Sequence, residues 1–234
     1  FVPAFARPHQ PDIIGIRHRD VADAAQNVLG AVAVAAADRM RTQRGLPSLP
    51  HSAYRTVASS GARGLLKVAF GITPEHPDYA AHCQEFLSNY ENHLFDCIPL
   101  FDGIAAMLHQ LAQHKLPWGI VTNKAARFTD PIARILPELR SAAAVISGDT
   151  TAHTKPHPAP LLEAARRMGI AANRCLYVGD DKRDMDAAKA AGMPCIAALW
   201  GYLGEHAVAS WGADAQAQHP SEILHLLATQ QANT

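Results

Sequence analysis

The chain has 234 residues, 48% of them hydrophobic and 18% charged, with 21 Lys and Arg against 21 Asp and Glu. That apolar content excludes wholesale disorder, and the length suits one large domain or a core with a smaller companion. The balanced charge argues against bulk binding to nucleic acid or an anionic membrane, and no apolar run approaches the ~20 residues that cross a bilayer.

Residues 1–11 hold Pro3, Pro8 and Pro11 and read as irregular. Ile13-Ile14-Gly15-Ile16 reads as a short strand, and residues 21–38, rich in Ala and Val, read as a helix stopped by Gly45-Leu46-Pro47 and Pro50. Residues 51–95 read as several short helices, broken at Gly61-Ala62-Arg63-Gly64 and between Pro74 and Pro77. After Pro99 the pattern changes. Ile104, Met107, Leu108 and Leu111 share a helix face. Trp118-Gly119-Ile120-Val121, Ala143-Ala144-Val145-Ile146, Cys175-Leu176-Tyr177-Val178 and the run 195–199 are apolar strands. Between them lie helices predicted from Pro160 to Gly169 and over 184–191. Strands that are apolar throughout and alternate with helices predict an α/β fold with a parallel sheet covered on both faces. The start of the chain lacks the features of a secretory leader, and the four cysteines at 83, 97, 175 and 195 form no CxxC pair, so buried reduced thiols and a cytoplasmic setting are expected.

Ligands of open parallel sheets bind at the carboxyl ends of the strands. Thr122-Asn123-Lys124 follows the first strand after Pro99, Gly148-Asp149-Thr150 and then Lys155-Pro156 follow the second, and Gly179-Asp180-Asp181-Lys182-Arg183-Asp184 follows the third. Singly, each has a plain structural role: a strand-end hydroxyl, a solvated lysine, acids complementing a helix dipole. Together, in this order, a hydroxyl, an ammonium and an acid cluster are the parts of a site for phosphate and a divalent cation.

These segments carry a resemblance. Gly119-Ile120-Val121-Thr122-Asn123-Lys124, Lys155-Pro156-His157-Pro158-Ala159-Pro160-Leu161 and Val178-Gly179-Asp180-Asp181-Lys182-Arg183-Asp184 resemble the second, third and fourth motifs of the haloacid dehalogenase-like (HAD) phosphatases. The phosphoglycolate phosphatase branch is the most similar, and Ser60-Gly61-Ala62-Arg63-Gly64 resembles a loop of its helical cap. The resemblance runs from about residue 35 to the C-terminus. It implies a Rossmann-like parallel sheet core over 99–234 and a helical cap over 35–98, with 1–34 atypical where the first core strand is expected. It also implies that Thr122 and the Asn123 N–H bind the transferring phosphoryl oxygens, and that Lys155 neutralises charge. By the same resemblance Asp180 and Asp184 hold Mg2+, and Arg63 meets the substrate's own anionic group. The expected partner is a small phosphorylated substrate, with the chain a monomer or homodimer. Arg127-Phe128 and Trp211-Gly212-Ala213-Asp214 also resemble the branch that dephosphorylates N-acetylmuramic acid 6-phosphate.

One landmark is missing. The family's nucleophilic aspartate stands in a DxDGT motif after the first strand, and this chain has only Asp12 and the pair Asp20 and Asp23 there, with no Gly-Thr following. Counting back from Met40 puts the nucleophile position near Val21, and a valine cannot be phosphorylated. Three readings follow: a disturbed reading frame over residues 1–34, a pseudo-phosphatase that binds phosphate or metal without turnover, or an unusual nucleophile at Asp20 or Asp23.

Overall fold

The computed structural model describes residues 13–16, 24–54, 57, 61–93, 100–201, 203 and 206–226. Among the described residues six strands form one sheet: β1 (Ile13–Ile16), β2 (Trp118–Val121), β3 (Ala144–Ile146), β4 (Cys175–Gly179), β5 (Cys195–Ala198) and β6 (Ala215–Ala217). Their order is β3-β2-β1-β4-β5-β6, and every pair is parallel. This is the doubly wound order, in which the chain leaves the centre in one direction and later returns to build the other half. The expected α/β fold is therefore present, with β1 at its centre. β1 pairs with both β2 and β4, and Ile16 lies opposite Val178. β6, which the sequence reading did not anticipate, is only Ala-Gln-Ala and lacks the β-branched residues that mark a strand.

Among the described residues, the helices that follow β1 and precede residue 100 are α1 (Ala24–Gln43), α2 (His51–Tyr54), α3 (Gly61–Phe70) and α4 (Tyr79–Asn92). α1 packs on α3 and α4, which also pack on each other. Met40, Tyr54, Leu65, Leu66 and Phe86 fill the space between them. The remaining helices alternate with strands: α5 (Ile104–Gln113), α6 (Ala126–Ile135), α7 (Ala159–Met168) and α8 (Lys182–Ala190). α8 begins two residues before the expected start at 184, because Asp181 caps it.

The strand pattern divides the core into two layers. Trp118, Ile120, Leu176, Val178, Ile196 and Ala198 face a cluster that includes α5 and continues into the packed helices α1 to α4. Val121, Cys175, Tyr177, Cys195 and Ala197 face a second cluster with Leu161 of α7 and Met185 of α8. Successive residues of a strand point to opposite faces, so covering both faces makes the whole strand apolar. That is the physical reason these segments read as unbroken apolar runs rather than alternating ones.

β1 spans Ile13–Ile16 and α1 begins at Ala24. Asp12, Asp20, Val21 and Asp23 lie outside the described residues.

Two tests follow from this packing. Ile120 is fully buried at the centre of the sheet. Ile120→Ala should destabilise the chain by about 2–5 kcal/mol in urea denaturation, and a cost below about 1 kcal/mol would contradict the close packing described. Burial also pushes the thiols of Cys175 and Cys195 up to about 11. At pH 8 both are therefore protonated, and since the thiolate is the nucleophile they should resist alkylation until the chain unfolds. Labelling of either at the rate of a free thiol in folded protein would contradict their burial.

Candidate active site

The carboxyl ends of β2 and β4 flank that of β1, about 10 Å apart across the sheet. Thr122 is the first residue beyond β2 and is buried. Its N–H donates to the Ile146 carbonyl at 2.9 Å, which prolongs the strand pairing, and its hydroxyl accepts from the Lys124 N–H at 3.1 Å. The hydroxyl is thus held at the point where the chain turns away from the sheet.

Asn123 points elsewhere. Its side-chain amide donates to the Lys155 carbonyl at 2.9 Å, and its side-chain oxygen accepts from the Lys155 N–H, also at 2.9 Å. This two-bond clamp ties the loop after β2 to the loop carrying Lys155, 32 residues later. The sequence shows the asparagine but not this second task.

Lys155 is buried. Its ammonium donates to the Val121 carbonyl at 2.7 Å and to the Tyr177 hydroxyl at 3.0 Å, and lies 3.1 Å from Asp184 Oδ1. The two hydrogen-bond acceptors come from β2 and β4, and the ion-pair partner from α8. Isolated burial of a charge costs several kcal/mol, so the paired carboxylate and the two polar contacts are what make this position tenable. Tyr177 was not singled out in the sequence; its signal is a hydroxyl inside an otherwise apolar strand.

The acids after β4 divide their work. Asp181 caps α8, accepting from the Arg183 N–H at 3.0 Å and pairing with the Arg183 guanidinium at 2.8 Å. Asp184 returns the cap, its Oδ2 accepting from the Asp181 N–H at 3.0 Å. Asp181 and Asp184 therefore form a capping box, legible in the sequence as acids three residues apart. Asp180 is fully buried at the strand end. Two glycines make room for the acids: a methyl on Gly179 would collide with Asp184, and one on Gly201 would collide with Asp180.

Mg2+ takes one or two carboxylates and completes its octahedron with water and phosphate oxygens. Asp180 suits such a role. Asp184 has one oxygen against Lys155 and the other on the Asp181 N–H, which makes it a support for the lysine. Among the described residues no three His, Cys, Asp or Glu side chains converge on a common point. The described donor set therefore fits Mg2+ as a one-carboxylate site needing oxygens from phosphate, water and elsewhere in the chain.

The structure thus brings Thr122, Asn123, Lys155, Asp180 and Asp184 to one edge of the sheet. Arg63 stands apart, exposed on the first turn of α3. Its charge acts on Glu75, whose carboxyl is lowered chiefly by a hydrogen bond from Thr73 and in smaller part by Arg63.

Asp184→Asn keeps the capping oxygen and removes the charge beside Lys155. It should cost about 3–5 kcal/mol of stability, and the double variant Lys155→Met/Asp184→Asn should cost less. Equal or greater loss in the double variant, read by urea denaturation, would show that the two charges are not coupled.

Residues 31–198 match the family model for haloacid dehalogenase-like hydrolases. A phosphoglycolate phosphatase of Xanthomonas campestris is 46% identical over 205 residues, covering 86% of this chain and 89% of that protein. An N-acetylmuramic acid 6-phosphate phosphatase of Pseudomonas aeruginosa is 36% identical over 195 residues, covering 83% of this chain and 86% of that protein. Among solved structures, a haloacid dehalogenase-like family hydrolase of Streptococcus pneumoniae superposes with a TM-score of 0.72 at 21% identity, covering 92% of this chain and 97% of the other. At that identity the likeness is one of fold.

Proposed function

Because this chain belongs to the haloacid dehalogenase-like hydrolase family, we propose that it is a phosphomonoester hydrolase of the phosphoglycolate phosphatase kind. The observation that carries this reading is the buried Lys155, wired to three separate elements at the sheet edge beside Thr122. A phosphate group bears two negative charges and needs fixed donors, and preorganised donors stabilise charge that develops during transfer.

In this reading the Thr122 hydroxyl and the Asn123 N–H bind the phosphoryl oxygens. Lys155 neutralises charge on them, Asp184 keeps the ammonium in place, and Asn123 holds the Lys155 backbone. Asp180 would hold Mg2+, which supplies electrostatic stabilisation of the phosphoryl group when bound. Arg63, on the packed helices α1 to α4 as the cap, would meet the substrate's distal anionic group. The similarity to the Xanthomonas protein favours 2-phosphoglycolate as substrate over the bulkier N-acetylmuramic acid 6-phosphate.

A specific feature of the sequence favours a second reading. In the family pattern a DxDGT motif carries the nucleophilic aspartate after the first strand, and the sequence between Ile16 and Ala24 holds no DxDGT. Without that nucleophile the site binds phosphate and does not turn over. Hydrolysis of p-nitrophenyl phosphate with magnesium, and with EDTA as control, separates the two. EDTA-sensitive turnover, lost in Asp20→Asn or Asp23→Asn, supports the hydrolase. No turnover from folded protein that is still stabilised by inorganic phosphate supports the binding protein. No turnover and no response to phosphate overturns both.

A further inference from the structure

The loop after β3 carries Gly148-Asp149-Thr150, a segment with no direct part in the phosphate site described above. It lies against the turn after β2 and meets it at three points. Gly148 packs on the main chain of Asn123, so closely that a methyl there would collide with the Asn123 carbonyl. The Gly148 N–H donates to the Lys124 carbonyl at 2.7 Å. The Asp149 carboxylate accepts from the Ala126 N–H at 2.9 Å.

Each contact answers a need that the local chain does not meet. α6 begins at Ala126, and the residue before it, Ala125, has no side-chain oxygen with which to cap the helix. Alanine is among the poorer residues for that position. Asp149 supplies the acceptor from 23 residues further on, and its negative charge suits the positive end of the helix dipole. Gly148 does not have the left-handed backbone that favours glycine, so the close approach to Asn123 is what demands it. The loop is itself closed. The Ser147 N–H donates to the Thr150 hydroxyl at 2.8 Å, and the Thr150 N–H donates to the Ser147 carbonyl at 3.0 Å. Asp149 is exposed, yet it projects from a turn that is tied at both ends.

The turn held in this way is the one that carries Thr122 and Asn123. Its two ends are anchored within the protein, by the Thr122 N–H on the Ile146 carbonyl and by the Lys124 N–H on the Thr122 hydroxyl. The Asn123 peptide, against which Gly148 packs, lies between these anchors. We propose that Asp149 is a positioning residue: from the loop after β3 it caps α6 and, with Gly148, holds the turn after β2 in the shape that presents the Thr122 hydroxyl and the Asn123 N–H to a phosphoryl group. The proposal rests on the phosphate-binding reading above and adds to it a residue that touches no substrate. It runs against simple charge. A carboxylate near an anion site repels the anion, so removing it would by charge alone tighten phosphate binding. Loss of the cap weakens binding, because the donors are no longer fixed before the anion arrives.

Calorimetric binding of inorganic phosphate to the full chain, in magnesium buffer, tests this without requiring turnover. Asp149→Ala should weaken binding about fivefold, the scale of one hydrogen bond. Asp149→Asn keeps an oxygen that accepts from the Ala126 N–H, and should bind within about twofold of the unmodified chain. Gly148→Ala should weaken binding with Asp149 still in place; if that variant does not fold, the two Asp149 variants decide. Ile132→Val controls for stability. Ile132 is fully buried on α6, beyond its first turn, and this change should lower the melting temperature while phosphate affinity holds. Unchanged or tighter binding in Asp149→Ala, unchanged binding in folded Gly148→Ala, no recovery in Asp149→Asn, or an equal loss in Ile132→Val overturns the proposal and leaves the phosphatase reading intact. Failure of folded, unmodified protein to bind inorganic phosphate overturns that reading and this proposal with it.

Discussion

A buried ammonium is the constraint around which the sheet edge is arranged. Lys155 has left water, and Asp184, the Val121 carbonyl and the Tyr177 hydroxyl help to make its charge tolerable there. Each partner imposes a further demand. Val121 must end β2 with its carbonyl directed at the lysine. Tyr177 must carry its hydroxyl among apolar neighbours of β4. Asp184 must reach back from the first turn of α8, which requires Asp181 to start that helix and Gly179 to leave space for the side chain. Removing any one part leaves a buried polar group unsatisfied, so these residues act as a unit.

The apolar core explains why the helices from α1 to α4 do not behave as a detached appendage. One cluster runs from Met40 and Leu65 through Phe86 and Tyr90 to Ile120 and Val178, so a single dry layer continues from the helices onto one face of the sheet. Contacts at its border, such as Tyr90 with Lys124 and Phe128, transmit the position of α4 to the residues after β2. The other face of the sheet is closed by α7 and α8. The two layers thus divide the labour: one relates the helices to the site, and the other anchors Lys155 through Tyr177.

The N-terminal segment separates two requirements that usually coincide. A central strand needs backbone groups that pair on both sides, and Ile13–Ile16 provides them in register with β2 and β4. Catalysis needs a particular side chain just beyond that strand. The first requirement tolerates many sequences, because main-chain hydrogen bonds do not depend on residue identity. The second tolerates very few.

Much was legible in the sequence alone, because it lies in local pattern. Unbroken apolar runs identified β2, β3, β4 and β5, and the spacing of Ile104, Met107, Leu108 and Leu111 identified α5. Thr122, Lys155 and Asp180 stood out because each follows a strand, and strand ends are where such sheets bind ligands. What remained hidden depends on which distant atoms meet. No local pattern shows that Asn123 clamps the Lys155 backbone, that Tyr177 receives the lysine, or that Asp184 spends both oxygens within the protein. The strand order was hidden as well, and with it the central place of β1 and the existence of the three-residue β6. Sequence determined the elements and the chemical types at their ends, since helix and strand periodicity and the residue after each strand are properties of neighbours in the chain. Tertiary structure alone decided the pairings, because a hydrogen bond between residues 32 apart is set by how the whole sheet closes.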